Sequence, residues 1–138
     1  MKRVLIATDL SDASKAAVDK GFALARSANA VVELVYVVDT NDFITPAALL
    51  DTTNHEKQAT DALQAIAQSG TGLALHVHLL KDRQPAHAIC MFAKSHNVDL
   101  IVVGSHGRTG MEAWLIGSVA ERIARHASCD VLLVRNAA

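Results

Sequence analysis

Five short apolar runs alternate with four longer amphipathic segments along this chain, and that alternation restricts the fold more than any other feature. The second run, residues 31–38, is apolar on both faces except for Glu33, as expected of a strand that helices cover on both sides. Strands that alternate with helices through short connections form parallel sheets. The five expected strands cover residues 4–7, 31–38, 73–80, 99–103 and 131–134.

The intervening segments carry the usual signals of helix starts and ends. Ser11 or Asp12 is expected to cap the first helix, and the segment 39–53 is expected to be a loop with a partial helical turn. In the last helix, Val119, Ala120 and Ile123 are expected to face inward. The four expected helices cover residues 13–28, 55–68, 85–95 and 117–126.

These elements together predict an α/β fold with an open five-stranded parallel sheet and helices on both faces, in one domain over residues 1–138. Right-handed crossovers leave few topologies, and we expect the strand order 3-2-1-4-5. Ligands bind such sheets where the winding direction reverses, at the carboxyl ends of the strands. That position lies between the first and fourth strands.

Composition excludes several classes of partner. Thirteen basic residues against fourteen acidic ones give a net charge of −1, so no global field attracts nucleic acid or anionic lipid. An aromatic content of 4% offers no stacking platform for nucleic acid. No segment approaches the ~18 apolar residues of a membrane span, and Asp9 and Asp12 interrupt the N-terminal run too early for a signal peptide. We expect a cytoplasmic protein.

Cysteine and histidine give no sign of a disulfide framework or a metal site. Cys90 and Cys129 lie in apolar or helical surroundings that suit reduced thiols. The seven histidines are scattered; His76 and His78 share a strand face, which a polar sheet face explains without a metal. No hydroxyl, histidine and carboxylate set has the context of a catalytic triad, so no catalytic residue is predicted.

A glycine motif follows the fourth strand directly. Gly104 and Gly107 can expose backbone N–H groups along a loop, and Gly117 with Ser118 adds further donors at the start of the next helix. The alternative is that these glycines merely permit turns. The spacing matches neither the phosphate loop that ends in Gly-Lys-Ser/Thr nor the dinucleotide fingerprint. The pattern favours an anion cradle of another kind.

The full spacing, Gly104-x-x-Gly107, nine residues, then Gly117-Ser118, resembles the ATP-binding motif of the universal stress protein (UspA-like) family. The segments 4–9, 36–39, 99–110, 117–122 and 131–135 extend the resemblance over nearly the whole chain. It implies the Rossmann-like, adenine nucleotide alpha hydrolase-like fold, the ATP-binding branch and a homodimer through residues 131–134. The residues that it places at the nucleotide are Ala7, Thr8, Asp9, Val37, Val38, Val103, Gly104, Ser105, His106, Gly107, Arg108, Gly117, Ser118 and Val119.

In that resemblance the glycine segment and Ser118 hold the phosphates, while Ala7, Val37 and Val103 line the adenine slot, with the Val37 backbone at the adenine edge. Several roles stay open on the residues alone. Asp9 either meets the ribose or a phosphate-bound cation, or is a turn residue. Arg108 either pairs with a phosphate or is a solvated loop residue. Trp114 either covers the phosphate loop or packs in the protein.

The chain departs from the family pattern in front of the third helix. Many relatives carry a glycine shortly before its proline, whereas this chain has Asp82, Arg83 and Gln84 before Pro85. We expect this departure to change the loop near the adenine end. Asp130 likewise occupies a position that proline often fills, at the entry to the last strand.

Three hypotheses of function follow. The first is an ATP-binding regulator, with slow or no hydrolysis, whose nucleotide state an unidentified protein partner reads. The second is a slow ATPase or nucleotide-cleaving enzyme that uses His106, Arg108 and a cation such as Mg²⁺ held by Asp9. The third is a phospho-receiver domain with Asp82 as its acceptor.

Overall fold

The computed structural model describes residues 1–43, 45–47, 51–106 and 115–136. Its sheet has five parallel strands in the order β3-β2-β1-β4-β5, which confirms the expected fold and topology. The strands are β1 Arg3–Ala7, β2 Val31–Asp39, β3 Leu75–Asp82, β4 Leu100–Gly104 and β5 Asp130–Val134. The α-helices of the described residues are α1 Lys15–Ala28, α2 Thr52–Gln68, α3 Pro85–Ser95 and α4 Ser118–His126.

The strand order excludes the phospho-receiver hypothesis. A receiver has the order 2-1-3-4-5, which places its third strand at the centre of the sheet. Here β3 is an edge strand, and Asp82 Oδ1 accepts a hydrogen bond from the N–H of Gln84 at 2.8 Å.

The sheet separates two apolar cores. On one face α1 and α2 pack on the strands through residues such as Phe22 and Leu63. On the other face α3 and α4 pack through residues such as Ile89 and Ile123. The packing of α1 on β1 is especially close, since a Cβ at Gly21 would stand 2.5 Å from Cδ1 of Ile6.

Two details at helix starts differ from expectation. A 3-10 turn at Asp12–Ser14 precedes α1, which therefore begins at Lys15, and the Ser11 side chain donates to Asp9 and does not cap the helix. In α4, Ala120 and Ile123 are buried as expected, but Val119 is 37% exposed. A residue in the second position of a helix can face a crevice beside the helix start, and Val119 does so.

A buried polar cluster lies on the α3 face of the sheet near the amino ends of the strands. The Glu33 side chain is 1% exposed and accepts hydrogen bonds from Arg3 Nη1 at 2.7 Å and His78 Nε2 at 2.6 Å. His76 Nδ1 lies 3.2 Å from Oε1 of the same carboxylate. Burial raises the pKa of Glu33, but the hydrogen bonds and charges of His78 and His76 outweigh it, so the pKa lies below 4.5. The two histidines thus serve a structural carboxylate.

Both cysteines are half-buried and make no disulfide, as expected. Burial raises the pKa of both thiols, and nearby Asp130 adds to the rise at Cys129. None of the described helices combines the length and the apolarity that crossing a bilayer requires.

Candidate nucleotide-binding site

A crevice opens where β1 stops before its neighbours. β1 ends at Ala7, which pairs with Val35 and Val103, whereas β2 continues to Asp39. The N–H of Thr8 donates to the carbonyl of Val35 at 3.0 Å, so the backbone groups of Val35 face β1. Backbone groups two residues apart in a strand point to the same side. The N–H and C=O of Val37 therefore face the crevice beyond the end of β1.

This crevice is a cavity of about 390 Å³ at the topological switch point of the sheet. The cavity lies above the carboxyl ends of β1 and β4, beside the start of α4. The sequence-predicted residues that line it are Ala7, Thr8, Asp9, Val37, Val103, Gly104, His106, Gly117, Ser118 and Val119.

Two of the predicted residues that the structure describes, Val38 and Ser105, do not line the cavity. The Val38 side chain is buried in the core on the opposite face, with α1 and α2. Ser105 is buried behind the cavity, where its Oγ lies 3.0 Å from Nδ1 of His106. Gly107 and Arg108 lie outside the described residues, as does Trp114. The proposed roles of Arg108 at a phosphate and of Trp114 over the phosphate loop therefore stay predictions.

The two ends of the glycine segment are fastened to each other and to β5. The N–H of Gly117 donates to the carbonyl of Ser105 at 2.7 Å, and the N–H of Ser105 donates to the carbonyl of Val134 at 2.9 Å. The expectation that Gly117 adds its own N–H to an anion cradle is therefore wrong for this conformation. Gly117 is the N-cap of α4, and the donors that remain at this end are the first N–H groups of the helix.

Those donors belong to Ser118, Val119 and Ala120. Within the described part of the chain, none of these three N–H groups is paired with a protein acceptor. The helix dipole adds positive potential at the same place. The start of α4 is thus suited to binding an anionic group. Gly104 and His106 line the same cavity beside it.

Gly104 is not required by backbone conformation. Gly72 is the described glycine with a positive φ, and a Cβ at Gly104 would stand 3.4 Å from the carbonyl oxygen of His106 and 3.9 Å from that of Ala13. These are ordinary contact distances, so an alanine fits. The explanation that glycine merely permits a turn therefore does not apply at this position.

Asp9 makes the expected turn and also lines the cavity, while its contact with a ribose or a cation stays a prediction. Its Oδ1 accepts hydrogen bonds from the N–H of Ser11 at 3.0 Å and from the Ser11 hydroxyl, which makes a local turn. Between them Leu10 has a φ of +67°, an unfavourable conformation for a leucine. Thr8 supports the turn, because its Oγ1 accepts from the N–H of Leu10 at 3.0 Å and bonds the Ser14 hydroxyl.

Several lining residues were not predicted. Pro85 and Ile89 come from the start of α3, which the helix crossing brings over the apolar end of the cavity. Five more lining residues come from β2, from the turn after it and from the starts of α1 and α4. Their local sequence carries no ligand motif, so only the position of the crevice could have indicated them. These residues are Ser14, Tyr36, Asp39, Asp42 and Ala120.

The segment before α3, in which this chain departs from the family pattern, lies beside the rim of the cavity, and its expected effect on the loop stays a prediction. Asp39 pairs with Asp82 in the register of β2 and β3, and the Asn41 Nδ2 donates to the carbonyl of Arg83 at 2.9 Å. The N–H of Asn41 also donates to Asp39 Oδ1 at 2.9 Å. The turn after β2 is thus fastened to the segment before α3 at the edge of the cavity.

Among the described residues, no group of three or more histidine, cysteine, aspartate or glutamate side chains is arranged to hold a metal ion. The carboxylates of Asp9, Asp39 and Asp42 line the same cavity without forming such a group.

Comparison with known proteins gives a consistent result. The model of the universal stress protein family matches residues 1–135. A universal stress protein of Methanocaldococcus jannaschii is 35% identical over 140 residues, which cover 97% of this chain and 82% of the relative. Among solved structures, the universal stress protein UspA from Lactobacillus plantarum is 31% identical with a TM-score of 0.78, and the match covers 97% of each chain.

Two more distant structures were solved with adenine nucleotides. A universal stress protein in complex with cAMP is 24% identical with a TM-score of 0.75, and the match covers 99% of this chain and 98% of that one. An Arabidopsis thaliana member with AMP bound is 19% identical with a TM-score of 0.73, over 100% and 94% of the two chains. At these identities they show a shared fold. The family model and the closer relatives establish more: this chain belongs to the universal stress protein family.

Proposed function

We propose that this chain binds ATP in the crevice beyond β1 and acts as a nucleotide-dependent regulator in a stress response, with slow or no hydrolysis. The observation that carries the proposal is the position of two complementary surfaces in one cavity. The unpaired N–H groups at the start of α4 lie at one end, and apolar walls lie at the other. A nucleotide has the same division between phosphate and base.

The apolar end suits a purine. Ala7, Val37 and Val103 border it, and α3 adds Pro85 and Ile89. The C=O of Val37 can accept a hydrogen bond from the N6 amino group of adenine, and the N–H of Val37 can donate one to a ring nitrogen. The structural neighbours with bound cAMP and AMP support an adenine nucleotide as the ligand.

The carboxylates fit a Mg²⁺ ion only as partners of a bound nucleotide. Mg²⁺ is held in proteins by one or two carboxylates together with substrate phosphates and water. Asp9 lies at the end of β1, on the wall of the cavity, and is the residue we assign to the ribose or to such an ion. When bound with ATP, Mg²⁺ would neutralise phosphate charge.

The proposal also includes a cytoplasmic homodimer that pairs through β5. β5 is an edge strand of the sheet, and its apolar residues 131–134 are only half-buried in one copy. An apolar edge strand is covered when a second strand pairs with it. We expect light scattering at micromolar concentration to give twice the mass of 14.7 kDa, and the single-chain mass would refute this part of the proposal.

Calorimetric titration with ATP, AMP and GTP tests the proposed ligand. We expect ATP and AMP to bind more tightly than GTP, and Asp9→Asn to weaken ATP binding about tenfold, since it removes a charged acceptor from the wall. Asp12→Asn is the matched control, because Asp12 is exposed and does not line the cavity. Absence of binding to any of the three nucleotides would refute the proposal.

Turnover separates the regulator from the slow ATPase. We expect purified protein to bind ATP and to consume less than about one ATP per minute, because fast phosphoryl transfer needs a group that orients the attacking water, and the regulator hypothesis gives neither His106 nor Asp9 that role. Faster consumption that Asp9→Asn abolishes and Asp12→Asn retains would favour the enzyme.

A further inference from the structure

The turn after β1 contains a backbone conformation that its residue type disfavours. Leu10 has a φ of +67°, in the left-handed region, where the Cβ of an L-residue stands too close to the following carbonyl oxygen. The other described non-glycine residues with a positive φ are Asn29 and Asn97, which lie at or just beyond the ends of α1 and α3. Asparagine is common at such helix ends. Leu10 is instead bulky and apolar, and it lies between a strand and a 3-10 turn.

Hydrogen bonds on both sides of Leu10 hold it in this conformation. The N–H of Leu10 donates to Thr8 Oγ1 at 3.0 Å, and the N–H of Ser11 donates to Asp9 Oδ1 at 3.0 Å. Thr8 Oγ1 also lies 2.9 Å from the Ser14 hydroxyl, which donates to the carbonyl of Ser11 at 2.8 Å. Thr8 and Ser14 are buried, so another backbone path would leave buried hydroxyl groups without these partners. The surroundings therefore determine the backbone of the turn.

The two sides of the turn contact different parts of the molecule. The Leu10 side chain is partly buried and packs against the core that α1 and α2 form with the sheet. Asp9 lines the nucleotide cavity, and its Oδ1 accepts from both the N–H and the hydroxyl of Ser11. Two donors on one carboxylate oxygen restrict the rotation of the Asp9 side chain. The turn is thus anchored on the core at Leu10 and orients the carboxylate of Asp9.

We propose that Leu10 is a positioning residue of the nucleotide site: its left-handed backbone holds the Asp9 carboxylate in one orientation on the cavity wall before a nucleotide binds. Disfavoured backbone conformations persist where the surrounding structure determines them, and they are frequent at ligand sites. A carboxylate that is already oriented binds its ligand with a smaller loss of side-chain entropy. The assignment of Asp9 to the ribose or to a cation comes from the proposed function, on which this inference rests.

Two substitutions at Leu10 separate the backbone conformation from the packing of the side chain. Asparagine branches at Cγ like leucine and adopts a positive φ readily, but it is polar, whereas valine is apolar and β-branched and disfavours a positive φ. Calorimetric titration with ATP should give an affinity within about twofold of the wild type for Leu10→Asn, and Leu10→Val should bind at least about fivefold more weakly. A role in apolar packing alone predicts the opposite order. Leu73→Val is the matched control, because Leu73 is partly buried against the same core, has no positive φ and does not line the nucleotide cavity.

A double-variant cycle tests whether Leu10 acts through Asp9. In the Asp9→Asn background, Leu10→Val should weaken ATP binding by less than about twofold, because the charged acceptor that the turn orients is already absent. Equal losses in both backgrounds would instead show a general distortion of the fold and would overturn the inference.

NMR couplings between Hα and the two Hβ protons of Asp9, measured without nucleotide, report the orientation of its side chain directly. We expect the couplings of a single rotamer in the wild type and in Leu10→Asn, and averaged couplings in Leu10→Val. Averaged couplings in the wild type, or ATP binding by Leu10→Val that is as tight as that of the wild type or of Leu10→Asn, would overturn the inference. A wild type that binds no nucleotide would refute the proposed function, and the couplings would then still decide whether the turn orients Asp9.

Discussion

Removal of the Arg3 charge tests how the buried carboxylate of Glu33 is stabilised. In Arg3→Met the apolar stem is retained, but the 2.7 Å ion pair with Glu33 is lost. Removing one partner of a fully buried pair costs about 3–5 kcal/mol, whereas exposed pairs contribute about 0.2–1 kcal/mol. Arg3 is 35% exposed, and His76 and His78 still contact the carboxylate, so we expect an intermediate loss of about 2 kcal/mol.

Urea denaturation followed by circular dichroism at pH 7 measures this loss as a change in the free energy of unfolding. Lys15→Met is the matched control, because it removes the ion pair of Lys15 with Asp19, whose side chains are 74% and 58% exposed. We expect the control to lose no more than about 0.5 kcal/mol. If the two variants differ by less than about 0.5 kcal/mol, the buried-pair reasoning is wrong.

Three further predictions concern pH and backbone geometry. The free energy of unfolding should fall as the pH drops below 4.5, the ordinary pKa of a glutamate such as Glu33. The pKa of Glu33 is lowered in the folded protein, so the unfolded state binds more protons in this pH range. A flat profile from pH 5 to pH 3 would contradict this prediction. Gly21→Ala should destabilise by about 1–3 kcal/mol through contact with Ile6, and Ile6→Val should recover part of that loss in the double variant; an unchanged melting temperature would refute the packing argument. Asn29 ends α1 at a φ of +53°, so Asn29→Ala should cost about 1 kcal/mol by thermal denaturation and Asn29→Gly should not; equal losses would show that the left-handed conformation is unimportant.

The sheet could be predicted because its strands carry their signal locally. Apart from Glu33, the run 31–38 is apolar on both faces, as expected of a strand covered by helices, and the alternation of strands with helices predicts a parallel sheet. The alternation permits more than one strand order, and the observed order 3-2-1-4-5 is the expected one. The ends of elements were less predictable. The Ser11 hydroxyl donates a hydrogen bond to Asp9 and therefore does not cap the helix that follows. This bond forms because Leu10, between the two residues, adopts a positive φ.

The site was predictable where glycine and a helix start mark it, and not where the fold alone brings residues together. Gly104 and Ser118 follow from the motif, but Pro85 reaches the cavity only because α3 crosses the end of the sheet. The sequence also assigned the N–H of Gly117 to an anion, whereas a hydrogen bond to Ser105 uses it. Such a bond joins residues that are distant in the motif, so local sequence does not reveal it.

The donors at the start of α4 can be tested by removing one backbone N–H without disturbing the helix. Ser118 is the first residue of α4, a position that accepts proline, and Gly117 before it has φ −62° and ψ 152°, which suit a residue that precedes proline. Ser118→Pro removes both the N–H and the hydroxyl, while Ser118→Ala removes the hydroxyl alone. The difference between the two variants therefore isolates the N–H.

Calorimetric titration of both variants with ATP and with adenosine tests the central claim that the start of α4 holds the phosphates. A hydrogen bond to a charged group contributes about 1.5–3 kcal/mol, so Ser118→Pro should bind ATP at least about tenfold more weakly than Ser118→Ala. Adenosine, which has no phosphate, should bind both variants equally. Equal ATP affinity in Ser118→Pro and Ser118→Ala would contradict the account.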